Sequence, residues 1–226
     1  MATKHTQRNE YQTPEMTAFV QDRLAVESRH HARVLEAMAA AGLPAINIGP
    51  LEGRVLEFLV RSCGAKRAVE IGTLGGYSAL WIAGGLPPSG KLYTLEFDPK
   101  HADVAEDCLK DAGLSKKVSV IRGDAKETLK KIEPLGPFDF VFIDADKVGY
   151  SFYLHWAAKN LRSGGVVALD NAYLFGKLHL KPSEAGEDAP AVRSMHEMLR
   201  LLSDESEFAS CAMIPTGEGL AVGIKK

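Results

Sequence analysis

Five short apolar runs, the last two stopping abruptly at acidic residues, constrain this chain more than any other feature. RAVEI (67–71), KLYTLEF (91–97), KVSVIRG (117–123), FDFVFID (138–144) and GVVALD (165–170) read as buried strands. Helical patterns follow the first four, near 76–85, 99–112, 125–132 and 149–161. Such alternation predicts an α/β fold, a mainly parallel sheet wrapped by helices on both faces. After the fifth run comes a polar loop, then a helix near 190–203 and two strand-like stretches, 207–214 and 219–225. The Gly-containing turn Thr216-Gly217-Glu218-Gly219 between them predicts an antiparallel hairpin added to the parallel sheet. The loop 176–189 (GKLHLKPSEAGEDA) is either a lid or binding loop, or plain surface.

Upstream, residues 14–41 read as one helix, begun by Thr13-Pro14-Glu15 and stopped at Ala41-Gly42. His30 and His31 on it are expected to face solvent or a partner, since no Asp, Glu or Cys cluster accompanies them. A second helix, 50–63, follows the loop Asn47-Ile48-Gly49-Pro50. The length of 226 residues is most simply a single domain, 1–226, with residues 1–50 as an N-terminal helical extension.

Composition narrows the function classes. With 46% hydrophobic and 25% charged residues the chain is an ordinary soluble globular protein. A net charge of −2 and no Lys/Arg-rich block give no footprint for nucleic acid. Cys63, Cys108 and Cys211 lie far apart without metal-ligand spacing, as expected of reduced, partly buried thiols in the cytoplasm. The polar start MATKHTQRNEYQ has no apolar core of a secretory signal, and no stretch is long enough to span a membrane.

The strand ends carry the chemistry. In an open α/β sheet, ligands bind outside the carboxyl ends of the strands. The first run ends in Glu70-Ile71-Gly72-Thr73-Leu74-Gly75-Gly76-Tyr77-Ser78, a Gly-rich turn that brings backbone N–H groups close to a ligand. Gly72 and Gly75 are spaced wrongly for the dinucleotide pattern GxGxxG. Glu96, at the second strand's end, is placed to accept ribose hydroxyls, and Gly123-Asp124-Ala125, at the third, could meet an adenine amine. Asp144, Asp146 and Lys147 follow the fourth strand, and Asp170 with Asn171 the fifth. Two Asp and an Asn are hard oxygen ligands suited to Mg2+. Each piece also has a plain reading: Glu96 as a strand-end charge, Asp124 as an N-cap, the other Asp residues as caps or turn formers. Their joint occurrence argues for a site.

The segments KRAVEIGTLGGYSALWIAGGLP, LEFDP, GDAKETL, FDFVFIDADK, GGVVALDN and IPTGEGLAVGIKK, in this order, resemble the cation-dependent O-methyltransferases that use S-adenosylmethionine. The likeness spans roughly residues 45–225 and is nearest to small bacterial members related to caffeoyl-coenzyme A O-methyltransferase, with catechol O-methyltransferase more distant. It implies a Rossmann-like, doubly wound class I methyltransferase fold. It implies S-adenosylmethionine held by Ile48, Glu70, Gly72, Thr73, Ser78, Glu96, Asp124, Ala125, Asp144, Asp146 and Tyr153. Asp144, Asp170 and Asn171 would bind a divalent cation, Mg2+ first, with Mn2+ or Ca2+ as alternatives, and Lys147 would be the catalytic base beside Asp144. It implies a small-molecule aromatic acceptor and, from the N-terminal helices, a homodimer. The chain departs from the family pattern at Ala172-Tyr173-Leu174-Phe175 and at Arg193-Ser194-Met195-His196, segments expected to shape the acceptor pocket.

The chemistry implied is methyl transfer to a catechol-like acceptor. A phenol with a pKa of about 10 is mostly protonated at neutrality, so it needs a metal or a base. An octahedral cation with three protein oxygens keeps room for two vicinal hydroxyls and a water. A methyltransferase acting on a non-catechol acceptor remains an alternative. An NAD(P)-dependent Rossmann oxidoreductase shares the ribose-binding acid but gives no role to Asp144, Asp170 and Asn171. A nucleic-acid methyltransferase would need basic clusters or an Asn-Pro-Pro-Tyr motif, and a non-catalytic binding module would need none of these residues.

Overall fold

The computed structural model describes residues 13–226; the polar start at 1–12 lies outside the described residues. Seven strands form one sheet: β1 (Arg67–Ile71), β2 (Lys91–Glu96), β3 (Val118–Arg122), β4 (Phe138–Ile143), β5 (Leu161–Leu169), β6 (Phe208–Ile214) and β7 (Leu220–Lys225). Their order is β3-β2-β1-β4-β5-β7-β6. The first five are parallel, while β7 runs antiparallel to both β5 and β6. The hairpin thus enters the sheet by its second strand, and β6 is left at the edge. The order reverses between β1 and β4, which opens a crevice at their carboxyl ends.

Helices cover both faces. On one side are α2 (Arg29–Ala41), α3 (Pro50–Ser62), α4 (Tyr77–Gly85) and α5 (Pro99–Asp111); on the other, α6 (Ala125–Ile132), α7 (Tyr150–Asn160) and α8 (Ala189–Leu202). Strand alternation divides the core accordingly. Val69, Ile71, Val141 and Ile143 pack toward α6–α8, whereas Ala68, Phe140 and Phe142 pack toward α2–α5. Each fully buried large side chain contributes about 1.5–3 kcal/mol. Aspartates start two of the helices. Asp98 accepts from Lys100 N (2.7 Å) and His101 N (3.2 Å) ahead of Pro99, and Asp124 accepts from Lys126 N (2.7 Å).

Three expectations change. The helix expected over 14–41 is two, α1 (Pro14–Leu24) and α2, because the chain turns to bury Ala25. The Leu24 carbonyl, orphaned by the break, accepts from Arg54 Nε of α3 (2.6 Å), and Ser28 N donates to His31 Nδ1 (3.1 Å) at the start of α2. His31 is therefore not solvent-facing: it is 6% exposed, with its ring 4.4 Å from that of Trp81 and 5.1 Å from that of Tyr77. The loop 176–189 is organised, with 3-10 turns at Pro182–Glu184 and Gly186–Asp188 and a Lys177–Asp188 ion pair. The cysteines are all free, Cys108 buried, Cys63 half-buried and Cys211 exposed. Among the described residues, no helix is long and apolar enough to cross a membrane.

Candidate active site

The sheet ladder continues one residue past several strand ends and sets the crevice residues in register. Gly72 N donates to Leu95 O (3.0 Å), Gly123 N to Glu96 O (2.8 Å), Asp144 N to Ile71 O (2.9 Å) and Asp170 N to Ile143 O (3.0 Å). Around these ends lies a cavity of about 790 Å3. Of the residues singled out by sequence, Ile48, Gly72, Thr73, Ser78, Glu96, Asp124, Ala125, Asp144, Asp146, Lys147, Tyr153, Asp170 and Asn171 all line it. Glu70 does not line it. It is fully buried beneath the Gly-rich turn, and its Oε2 accepts from Thr94 Oγ1 (2.6 Å), which in turn meets Thr73 Oγ1 (2.5 Å). Burial drives its pKa up to about 8, with Asp144 and Glu96 adding to the effect against Ser78 and Thr94. Its Oε1 has no partner among the described residues.

Gly72 has φ 100° and sits so close to the carbonyl of Asp144 that a Cβ there would overlap it. The turn after β1 and the acid after β4 are thereby locked together. Glu96 closes the turn from the other side. Its Oε2 accepts from Thr73 N (3.1 Å) and Leu74 N (2.8 Å), and its Oε1 from Asp98 N (2.9 Å). So Glu96 has a structural task in addition to lining the cavity. The same holds for Asp124, which caps α6.

At the other end of the cavity, charge is crowded. Asp170 is 4% exposed, its Oδ1 has no partner among the described residues, and burial, followed by the charges of Asp144 and Glu52, raises its pKa to about 7. Burial also raises Asp144, against the pull of Lys147. Lys147 Nζ lies 3.3 Å from Asp144 Oδ1 and 2.5 Å from Tyr150 Oη; burial lowers its pKa while Asp144 and Asp170 oppose the drop. The Tyr150 hydroxyl reaches the carbonyls of Asp170 (2.9 Å) and Ile143 (3.2 Å), so it fixes the ammonium against two strand ends. Tyr153 Oη donates to Asp146 Oδ1 (2.6 Å). Among the described residues, no group of three or more His, Cys, Asp or Glu side chains could hold a metal ion. The oxygens available are two carboxylates and the amide of Asn171, whose φ of 48° is left-handed.

Sequence reasoning missed Glu52, Tyr77, His101 and Glu218, which also line the cavity, and Tyr150 behind it. The capping pattern Gly49-Pro50-x-Glu52 was a usable signal for the first. Tyr77 is tied to Glu27, fifty positions away, by a 2.6 Å bond and packs edge-on against His31. Of the two departing segments, Phe175 lines the cavity but Arg193 to His196 do not: α8 turns its buried face to the core, and His196 Nε2 meets Leu178 O (2.8 Å). A second cavity of about 740 Å3, lined partly by Leu178 and His179, shares Phe175 and Glu218 with the first.

This sheet order, with an acidic crevice at its reversal, defines the class I methyltransferase fold. A family model described as O-methyltransferase matches residues 22–226, and the chain belongs to that family. The catechol O-methyltransferase of Niastella koreensis is 36% identical over 214 residues, covering 92% of this chain and 95% of that protein. That of Mycobacterium tuberculosis is 40% identical over 186 residues, covering 82% and 83%. The crystal structure of the O-methyltransferase from Bacillus cereus in complex with SAH matches with a TM-score of 0.85 at 36% identity, covering 92% of this chain and 96% of that one.

Proposed function

We propose that this protein transfers the methyl group of S-adenosylmethionine to one hydroxyl of a vicinal dihydroxy aromatic small molecule, assisted by a divalent cation. The cofactor assignment is supported by family membership and by the SAH-bound relative. The acceptor class is supported by relatives named catechol O-methyltransferase. The observation that carries the cation is the crowding of half-buried Asp144 and buried Asp170 in one cavity, with Asp170 Oδ1 lacking a partner among the described residues. Two carboxylates and an amide oxygen fit a hard cation, so Asp144, Asp170 and Asn171 would hold it. Bound there, it would acidify and orient an acceptor hydroxyl.

The chain's own groups account for the rest. Glu96, with Asp124 and Ala125 beyond it, faces the adenosyl half of the cavity, and the Gly72–Thr73 turn with Ser78 the amino-acid half. Lys147 in its amine form takes the hydroxyl proton at Nζ, and Tyr150 holds that nitrogen in place. S-adenosylmethionine, when bound, would supply the methyl group: the acceptor oxygen would bond to the methyl carbon as the carbon–sulfur bond broke, leaving S-adenosylhomocysteine. Opposite charges are neutralised in this step, so the largely apolar mouth formed by Ile46, Phe97 and Phe175 favours it. We read the chain as one domain whose N-terminal helices extend it. With no buried residue on α1 and with Met16, Phe19 and Leu24 exposed, a homodimer is the expected assembly.

Methyl transfer from S-adenosylmethionine to a panel of 3,4-dihydroxyphenyl acceptors, with Mg2+ and with EDTA, tests this reading by product mass. A methylated product that vanishes with EDTA is expected. Turnover indifferent to EDTA would overturn the roles of Asp144, Asp170 and Asn171. Retained activity in Asp144→Ala or Asp170→Ala would do the same.

A further inference from the structure

Glu52 stands in the first turn of α3 and does two things with one carboxylate. Its Oε2 accepts from Gly49 N (2.8 Å), a single helix-start bond that fixes the preceding loop. That loop supplies Ile46, Asn47 and Ile48 to the cavity wall. Glu52 lines the same cavity as Asp144, Lys147 and Asp170. Its Oε1 has no hydrogen bond or ion pair among the described residues and lies 4.0 Å from where a Cβ on Gly217 would stand. A helix cap requires only one acceptor oxygen and no net charge, since Gln serves as well as Glu at this position. The second oxygen and the charge therefore remain to be explained. Glu52, Asp144, Asp146 and Asp170 line the cavity together with Lys147, and Asp170 keeps a buried oxygen without a donor among the described residues.

We propose that Glu52 is a positioning residue of the cation site: its charge strengthens divalent-cation binding from across the cavity, and its cap anchors the Ile46–Gly49 wall. The inference rests on the cation reading given above. Charge and cap separate cleanly by substitution. Glu52→Gln keeps an acceptor for Gly49 N and removes the charge, while Glu52→Ala removes both.

The test is Mn2+ binding to the full chain by electron paramagnetic resonance titration, alongside S-adenosylmethionine affinity and Tm, with Asp170→Asn as control. The loss expected in Glu52→Gln is about tenfold in Mn2+ affinity at low ionic strength, shrinking as salt screens the charge. Its Tm stays at the wild-type value. Glu52→Ala adds a lower Tm and weaker cofactor binding through the loosened wall. If Glu52→Gln binds Mn2+ as the wild type does, Glu52 is only a cap and the inference falls alone. If the wild type itself binds no Mn2+, the cation reading and the inference fall together.

Discussion

At the scale of single residues, two buried acids do opposite things. Glu70 is raised to about 8, so it keeps its proton in the folded protein at neutrality. The unfolded chain releases that proton near the ordinary value of 4.5. Between these values the folded state binds the extra proton, so stability declines as pH rises, by at most about 1.4 kcal/mol per pH unit. Glu70→Gln should flatten that slope in urea denaturation between pH 5 and 8; an unchanged slope would assign it to another group. Glu96 instead accepts three backbone N–H groups. Glu96→Ala should weaken S-adenosylmethionine binding and also destabilise the fold, since each orphaned buried N–H costs about 1–3 kcal/mol. Unchanged cofactor affinity in a destabilised variant would leave Glu96 with its structural role alone.

Elements transmit these effects through the turns that join them. Gly72 has its close approach to Asp144 written into a positive φ, and Gly72→Ala should both strain the backbone and push the acid after β4 out of register. Loss of turnover together with a fall in Tm of several degrees is the expected result; full turnover would show that the two strand ends move independently. The segment after β5 carries a similar signature. Asn171, Leu174 and Phe175 are all left-handed, at 48°, 49° and 51°. Backbone bonds from Ala172 N to Gly219 O (2.8 Å) and from Tyr173 N to Glu218 O (3.0 Å) hold them there. Nothing in Ala172-Tyr173-Leu174-Phe175 announces such a conformation, because the strain is sustained by the β6–β7 turn lying across it.

Across the whole molecule, a second polar cluster sits at the end of the sheet opposite the site. Asp139, at the start of β4, accepts from Lys66 N and Arg67 N (both 2.8 Å) and from Arg162 Nε (2.6 Å), while Arg162 also donates to Cys63 O (2.6 Å). Burial pushes its pKa up, but these donors outweigh it and the net shift is downward. Its contribution is therefore present above the ordinary carboxylate range and lost as pH falls through the lowered value. Asp139→Ala should lower Tm by several degrees, at about 2–4 °C per kcal/mol for a chain of this size, and leave cofactor affinity alone. A matching loss of affinity would show that the two ends are coupled. The strands, their order along the chain and the polar residues at their ends were legible in the sequence, because buried strands need apolar runs and caps need oxygens at fixed offsets. Those constraints are local, so they act before the chain is folded. The break between α1 and α2, the burial of His31, the insertion of β7 beside β5, and the arrival of Glu52, Tyr77 and Glu218 at one cavity were decided by the tertiary structure alone. Each depends on a contact between segments far apart in sequence, and no periodicity or spacing along the chain records which distant surfaces will meet.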